Sequence, residues 1–435
     1  MSSSIEIQPV AGPLSASIRP PGSKSLTNRA LVCAALAEGA SNLRGALVSE
    51  DTQVMIQCLG ALGIAIVENP AERTLRITGC GGRISAELAD LYVANSGTTV
   101  RFLTALAALG RGTFRLHGTK RMHERPIQDL LNSLAELGVR AASEAGTGCP
   151  PVIVHADGLR AGRARMRGDV SSQYLSAVLM VSPCASAGAA SEAVVIDIEG
   201  VLVSKPYVAM TIAVIEAFGG RVETAGDFQQ FTVPRTGYVG RDYEIEPDAS
   251  AASYFWAAAA IAGGRVRVEG LNRTSLQGDV AFCECLAQMG CEVLEDGGGT
   301  TVVGGPLRGI DVDMNAISDT VQTLGVVALF ADGPTTIRRV GHIRHKETDR
   351  IRALATELRK LGATVDERAD GLRIVPGTLH GATIDTYDDH RMAMSMSLAG
   401  LKIKGVVIND PQCTAKTYPE FFQDLIALRA SQPVD

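Results

Sequence analysis

Six times along the chain a short polar group opens an alanine-rich apolar run. The segments are SKSLTNRALVCAALAEG, NSGTTVRFLTALAALG, SSQYLSAVLMVSP, DASAASYFWAAAAIAGG, SDTVQTLGVVALFADG and DDHRMAMSMSLAG. With Ser25, Ser96, Ser172, Asp248, Asp319 and Asp389 as markers, they recur every 70–76 residues. Ser and Asp oxygens accept the unpaired N–H groups of a first helical turn, and Ala and Leu then propagate the helix. Each run ends near glycine and leads into a short β-branched or alternating stretch (SNLRGAL, GTFRLHG, AVVIDIEG, RVRVEG, TTIRRVG, VVINDP) that predicts a strand. A second helix follows, and five of the six close on a glycine, at 63, 138, 219, 290 and 362. Glycine there supplies a left-handed cap, and another strand follows, as in ATVDE. The pattern predicts an α/β fold of six repeats, grouped as two domains of three with a seam near RDYEIEPD, residues 241–248.

Composition narrows the class. Hydrophobic residues make up 46 % of the 435 and charged residues 20 %, which describes compact domains with their own cores. The opening MSSSIEIQPV has neither the charged nor the apolar block of a signal peptide, and no apolar run spans a membrane. Nine cysteines without a CxxC read as reduced, mostly buried thiols, so a cytoplasmic location is expected. A net charge of −6 argues against a nucleic-acid partner but permits anionic ligands, because a few focused cations set the field in a cleft.

Cations recur in this frame. Lys24, Arg29, Arg101 and Arg391 fall at predicted first-helix starts; Arg125, Lys205, Lys346, Arg350 and Lys416 fall at second-helix starts. A helix start already carries free N–H donors and partial positive charge, so cations there oppose the dipole unless an anion balances them. PPGSKSLTNRAL joins a glycine turn, a lysine, two hydroxyls and an arginine without the spacing of a nucleotide-binding P-loop. SSQY adds two hydroxyls and an amide suited to a polyol phosphate.

In this order and combination, PPGSKSLTNRA, NSGTTVRFL, RMHERPI, SSQYLSAVLM, VSKPY, PDASAASYF, HKETDR, DDHRMAM and CTAKTYPEF resemble the 5-enolpyruvylshikimate-3-phosphate synthase family, part of the enolpyruvyl transferases. The resemblance covers nearly the whole chain. It implies transfer of the enolpyruvyl group of phosphoenolpyruvate to shikimate 3-phosphate, with no metal and no organic cofactor. It also implies two domains of three βαβαββ-type repeats with the active site in the interdomain cleft. These would be residues 22–242, and residues 1–21 together with 243–435. The partners expected are the two small-molecule substrates, with neither nucleic acid nor membrane, and the chain is expected to act as a monomer.

Carried over motif by motif, Ser25, Arg29, Ser171, Ser172, Gln173, Ser204, Asp319, His342 and Lys346 would hold shikimate 3-phosphate. Lys24, Gly97, Arg125, Gln173, Arg350, Arg391 and Lys416 would hold phosphoenolpyruvate, with Asn95, Thr98 and Tyr207 nearby. Asp319 would be the general base, Glu347 the general acid, and Lys24 a bridge to phosphate. Asp319 also reads as an ordinary N-cap. His342 replaces a common asparagine, and Phe102 replaces a common proline beside the segment holding Gly97. The family's inhibitor glyphosate would compete for the phosphoenolpyruvate site. Two other readings are weighed. The sister transferase acting on UDP-N-acetylglucosamine typically has a cysteine where HGTKRMHERPI has none. A non-catalytic anion-binding scaffold would have no use for Asp319 and Glu347 among its cations.

Overall fold

The computed structural model describes residues 4–188 and 191–430. Contacts divide the chain into two compact units, Gly22–Ile245 and Met1–Pro21 with Glu246–Asp435, each with its own apolar core.

The first unit contains α1 (Lys24–Leu36), α2 (Glu50–Ala61), α3 (Gly97–Ala107), α4 (Gln128–Glu136), α5 (Ser172–Val181) and α6 (Lys205–Ala217). The second contains α7 (Ala249–Ala262), α8 (Phe282–Met289), α9 (Val321–Val327), α10 (Arg350–Lys360), α11 (His390–Ser397) and α12 (Phe421–Ala430). The odd-numbered helices are the alanine-rich runs, and they are buried nearly all round. Every residue of α7, α9 and α11 is buried, as expected of a helix with no polar stripe. Small residues allow this, because Ala and Gly let neighbouring helices approach. Ser23, Ser96, Ser171, Asp248 and Asp389 cap α1, α3, α5, α7 and α11 through their side chains. The glycines at 63, 138, 219, 290 and 362 all have positive φ, the conformation in which a Cβ is costly.

Each repeat carries a small sheet built to one plan. A leading strand runs parallel to the strand after the first helix, and that strand is antiparallel to the last member of a hairpin. In the second repeat Leu88–Tyr92 pairs in parallel with Arg111–His117, which pairs antiparallel with Val152–Asp157, and Arg140–Ser143 completes the hairpin. Burial alternates along the strands, one face on the helices and one in solvent.

Three sheets are completed from far along the chain. Asp242–Glu244 is the parallel leading strand for Ala40–Arg44, so this stretch, expected beyond the first domain from residue 243, belongs with the first unit. Leu14–Ile18 leads Gly264–Glu269 in parallel, and Ser4–Ile7 pairs antiparallel with Val406–Asn409. The sixth sheet has only three strands, with Ser4–Ile7 in the place of a hairpin. All nine cysteines are free, and among the described residues no helix is long and apolar enough to cross a membrane.

The N-terminal strand is anchored chiefly by Ile7, which is buried and abuts Gly400 so closely that a Cβ there would lie 2.4 Å from its own. Ile7→Ala should therefore cost about 2–5 kcal/mol, read as a lower urea midpoint. Glu6→Ala, on the exposed face of the same strand, should stay within about 0.5 kcal/mol of wild type.

Candidate active site

The second unit gathers its charged groups around one guanidinium. Arg350, the first residue of α10, is 1 % exposed and satisfies three carboxylates at once. Its Nε donates to Asp389 Oδ2 at 2.7 Å and its Nη2 to Asp389 Oδ1 at 3.2 Å. Nη2 also reaches Glu347 Oε2 at 2.8 Å, and Nη1 reaches Asp319 Oδ1 at 3.1 Å. Burial lowers its pKa, but Asp389, Glu347 and Asp319 outweigh desolvation and hold it above the ordinary value.

Asp319 collects two further cations: Lys346 Nζ at 2.6 Å and Arg391 Nη2 at 2.8 Å. It is not the N-cap that its sequence position suggested. It lies within the 3₁₀ turn Asn315–Thr320, and Thr320 occupies the cap position of α9 without a side-chain bond. Lys416 lies 3.9 Å from Glu347 Oε1. It ends the 3₁₀ turn Pro411–Lys416, and Lys346 likewise follows a 3₁₀ turn, so neither starts a helix as expected. Desolvation lowers the pKa of Lys346, with Arg350 adding to the effect and Asp319 opposing it.

The first unit is arranged differently. Ser23 caps α1, placing Lys24 and Ser25 in its first turn. Arg29 and Arg101 sit a full turn inside their helices instead of at the starts, and each reaches back four residues. Arg29 Nη1 donates to the Ser25 carbonyl at 2.9 Å, and Arg101 Nη1 to the Gly97 carbonyl at 3.4 Å. Arg29 also donates to Thr211 Oγ1 at 2.7 Å, the Tyr207 carbonyl at 3.3 Å and Ser176 Oγ at 3.5 Å. Its guanidinium lies 5.4 Å from the centre of the Phe102 ring, which is how the departure at 102 is accommodated. Every one of these acceptors is neutral, and burial lowers the Arg29 pKa to about 10.

Arg101 donates to Gln173 Oε1 at 2.6 Å and the Pro126 carbonyl at 3.3 Å, and it stacks 5.3 Å from Tyr174. Gln173 in turn donates to Thr98 Oγ1 at 3.3 Å, and Ser171 caps the α5 turn containing Ser172 and Gln173. Arg125 donates to the Asn95 carbonyl at 2.9 Å. Ser204 stands before α6 with φ +54°, an uncommon conformation for serine, while Lys205 is ion-paired outward to Asp227 at 2.7 Å. Gly97 is where a side chain has no room: a Cβ would lie 2.2 Å from Arg125 Nη2 and 2.8 Å from Arg101 Nη1.

Thus the first unit carries Lys24, Ser25, Gly97, Arg125, Ser171, Ser172, Gln173 and Ser204 on helix starts and adjoining turns, with Arg29 one turn inside α1. The second brings together Asp319, His342, Lys346, Glu347, Arg350, Arg391 and Lys416. Two further residues join these clusters: Asp389 reads from the sequence as a cap and Arg101 as one more cation, because the bonds of Asp389 to Arg350 and of Arg101 to Gln173 exist only in the fold.

His342 is largely buried beside Lys346. Desolvation first, and then the Lys346 cation, lower its pKa to about 3, so the imidazole is neutral near pH 7. Between about pH 6.5 and 3 the unfolded chain binds a proton at this position that the folded chain refuses. Stability at His342 is therefore complete above about pH 6.5 and is lost as pH falls, by at most about 1.4 kcal/mol per unit. Urea midpoints for wild type and His342→Asn should diverge between pH 7 and 5, the asparagine variant losing less. Parallel curves would mean that the imidazole takes its proton in the folded state.

A profile of the EPSP synthase (3-phosphoshikimate 1-carboxyvinyltransferase) family matches residues 9–425. The 3-phosphoshikimate 1-carboxyvinyltransferase of Trichormus variabilis is 48 % identical over 96 % of this chain and 97 % of its own. That of Nostoc punctiforme is 49 % identical over the same shares. Among solved structures, EPSP synthase from Acinetobacter baumannii superposes with a TM-score of 0.79 at 25 % identity, covering 98 % of both chains. With this likeness running the length of the chain, and with the motif residues gathered into two polar clusters, the chain belongs to the EPSP synthase family.

Proposed function

We propose that the chain transfers the enolpyruvyl (carboxyvinyl) group of phosphoenolpyruvate to the 5-hydroxyl of shikimate 3-phosphate, releasing phosphate, a step of the shikimate pathway to aromatic amino acids. The observation that carries the reading is Arg350, which holds two candidate proton-transfer carboxylates, Asp319 and Glu347, on one buried guanidinium. A structural ion pair needs one carboxylate. Three carboxylates among Lys346, Arg350, Arg391 and Lys416 suit a site that must bind an anion and move protons as well.

In this reading the 5-oxygen bonds to C2 of phosphoenolpyruvate and its proton passes to Asp319. Glu347 delivers a proton to the C3 methylene, which becomes a methyl group. The tetrahedral adduct then returns a methyl proton to Glu347, phosphate departs with its C–O electron pair and takes up the proton held by Asp319, and the vinyl double bond is restored. No covalent link to the protein is formed. Arg125, Arg350, Arg391 and Lys416 bind the carboxylate and phosphate of phosphoenolpyruvate, the guanidiniums with forked geometry. Each N–H that turns to the substrate leaves a lone pair of Asp319 or Glu347 open to a proton. Lys24, in the first turn of α1, bridges to the phosphate that leaves.

Shikimate 3-phosphate takes Ser25, Ser171, Ser172, Gln173 and Ser204 as neutral donors, and Lys346 as its cation. His342, neutral at working pH, serves as one more neutral hydrogen-bonding group, the role an asparagine would fill. Arg29 acts mainly through its charge, because its N–H groups are already engaged by the protein.

Phosphate release should require both substrates. Glu347→Gln keeps an oxygen for Arg350 but cannot deliver a proton, so turnover should fall by about 10²–10⁴ with shikimate 3-phosphate affinity retained. Collapse of binding along with turnover would make Glu347 structural. Gly97→Ala should push Arg125 aside, an overpacking that raises KM for phosphoenolpyruvate roughly 5- to 150-fold. Shikimate 3-phosphate binding, followed by protein fluorescence, should change little. Equal loss for both substrates would separate Gly97 and Arg125 from the phosphoenolpyruvate site.

A further inference from the structure

Asp389 and Arg391 reach their partners from an unusual piece of backbone. Tyr387 and Asp388, immediately before them, have φ of +57° and +54°, two consecutive left-handed residues and neither a glycine. Such a turn does not hold itself, because the side chains disfavour it. Its restraint comes from α10. Glu357 lies seven residues after Arg350, two turns along the same face of the helix. Its carboxylate is fully buried, yet it accepts from Tyr387 Oη at 2.6 Å and from the Asp385 backbone N–H at 3.1 Å. Lys360, 2.9 Å from Glu357, binds Asp385 Oδ2 at 2.7 Å, and Asn409 donates to Asp385 Oδ1 at 3.0 Å.

We infer that Glu357 is a positioning residue for the reaction: it holds the turn at 385–388, with Tyr387 and Asp388 left-handed, so that Asp389 meets Arg350 and Arg391 meets Asp319. α10 thereby grips one segment at two places, Arg350 on Asp389 and Glu357 on Tyr387. A carboxylate buried only for stability would have no reason to choose this turn. Desolvation and the bond to Glu357 both raise the Tyr387 pKa, so the phenol stays a donor across the working range. The inference rests on the reading that Arg391 binds phosphoenolpyruvate.

The test compares Tyr387→Phe with Tyr387→Gly, at a half-exposed side chain whose loss leaves the core intact. Both remove the hydroxyl, but only glycine removes the penalty of the left-handed backbone. Tyr387→Phe should raise KM for phosphoenolpyruvate about 5- to 30-fold, the penalty of one left-handed residue expressed as a population. KM for shikimate 3-phosphate and the urea midpoint should stay near wild type. Tyr387→Gly should lie closer to wild type than Tyr387→Phe, and Glu357→Gln should shift in the same direction as Tyr387→Phe. An unchanged phosphoenolpyruvate KM in Tyr387→Phe overturns the inference. So does a glycine variant no better than phenylalanine, or a rise in both KM values in step with lost stability. Arg391→Lys is the control: if it leaves phosphoenolpyruvate KM unchanged, the fault lies in the assignment of Arg391 to that substrate.

Discussion

A guanidinium withdrawn from water loses hydration that its partners must replace, and Arg350 replaces it with three carboxylates. Most of the second unit's polar geometry follows from it. Asp389 must cap α11 and face Arg350 together; Glu347 must sit three residues before Arg350, in the bend that leads into α10; Asp319 must leave the regular helix for a 3₁₀ turn. Removing one member of such a group strands the others, and a stranded buried charge costs more than the pair contributes. The cluster therefore behaves as one object, and its members are fixed relative to one another before any ligand arrives.

The first unit resolves the same difficulty in the opposite way. Arg29 and Arg101 are nearly as buried, but their partners are carbonyls, hydroxyls, an amide and aromatic rings. Neutral acceptors satisfy the N–H geometry while leaving the charge uncancelled, and the lowered pKa of Arg29 records that shortfall. One unit thus holds buried positive charge among neutral acceptors, whereas the other meets its cations with carboxylates in a compensated mesh. Both rest on buried alanine-rich helices, most of them closed at the first turn by a capping side chain.

Helix existence and phase were legible in the sequence because they depend on neighbours a few residues apart. Ser96, Asp248 and Asp389 cap the helices they mark, while the markers Ser25 and Ser172 fall just inside theirs, after Ser23 and Ser171. What local pattern could not convey is pairing at a distance. Nothing in DYE says that it lies along Ala40–Arg44, and nothing in LSASI says that it lies along Gly264–Glu269. The motif residues were legible through their resemblance to a family, but their mechanics were not. Asp319 reads as a cap because Asp before an apolar run usually is one; its place in a 3₁₀ turn among Lys346, Arg350 and Arg391 belongs to the assembled fold.

The strands completed from afar also set an order of events along a growing chain. The first unit holds all its sheet partners once residue 244 has been made. The segment 4–18 is synthesised before the whole first unit and finds no partner until Gly264–Glu269 appears; Ser4–Ile7 must wait for Val406–Asn409. Contacts of such sequence separation form late, after local structure has collapsed. Strands made before the first unit are therefore among the last to be secured, and through that interval an unpaired strand edge needs protection from other chains.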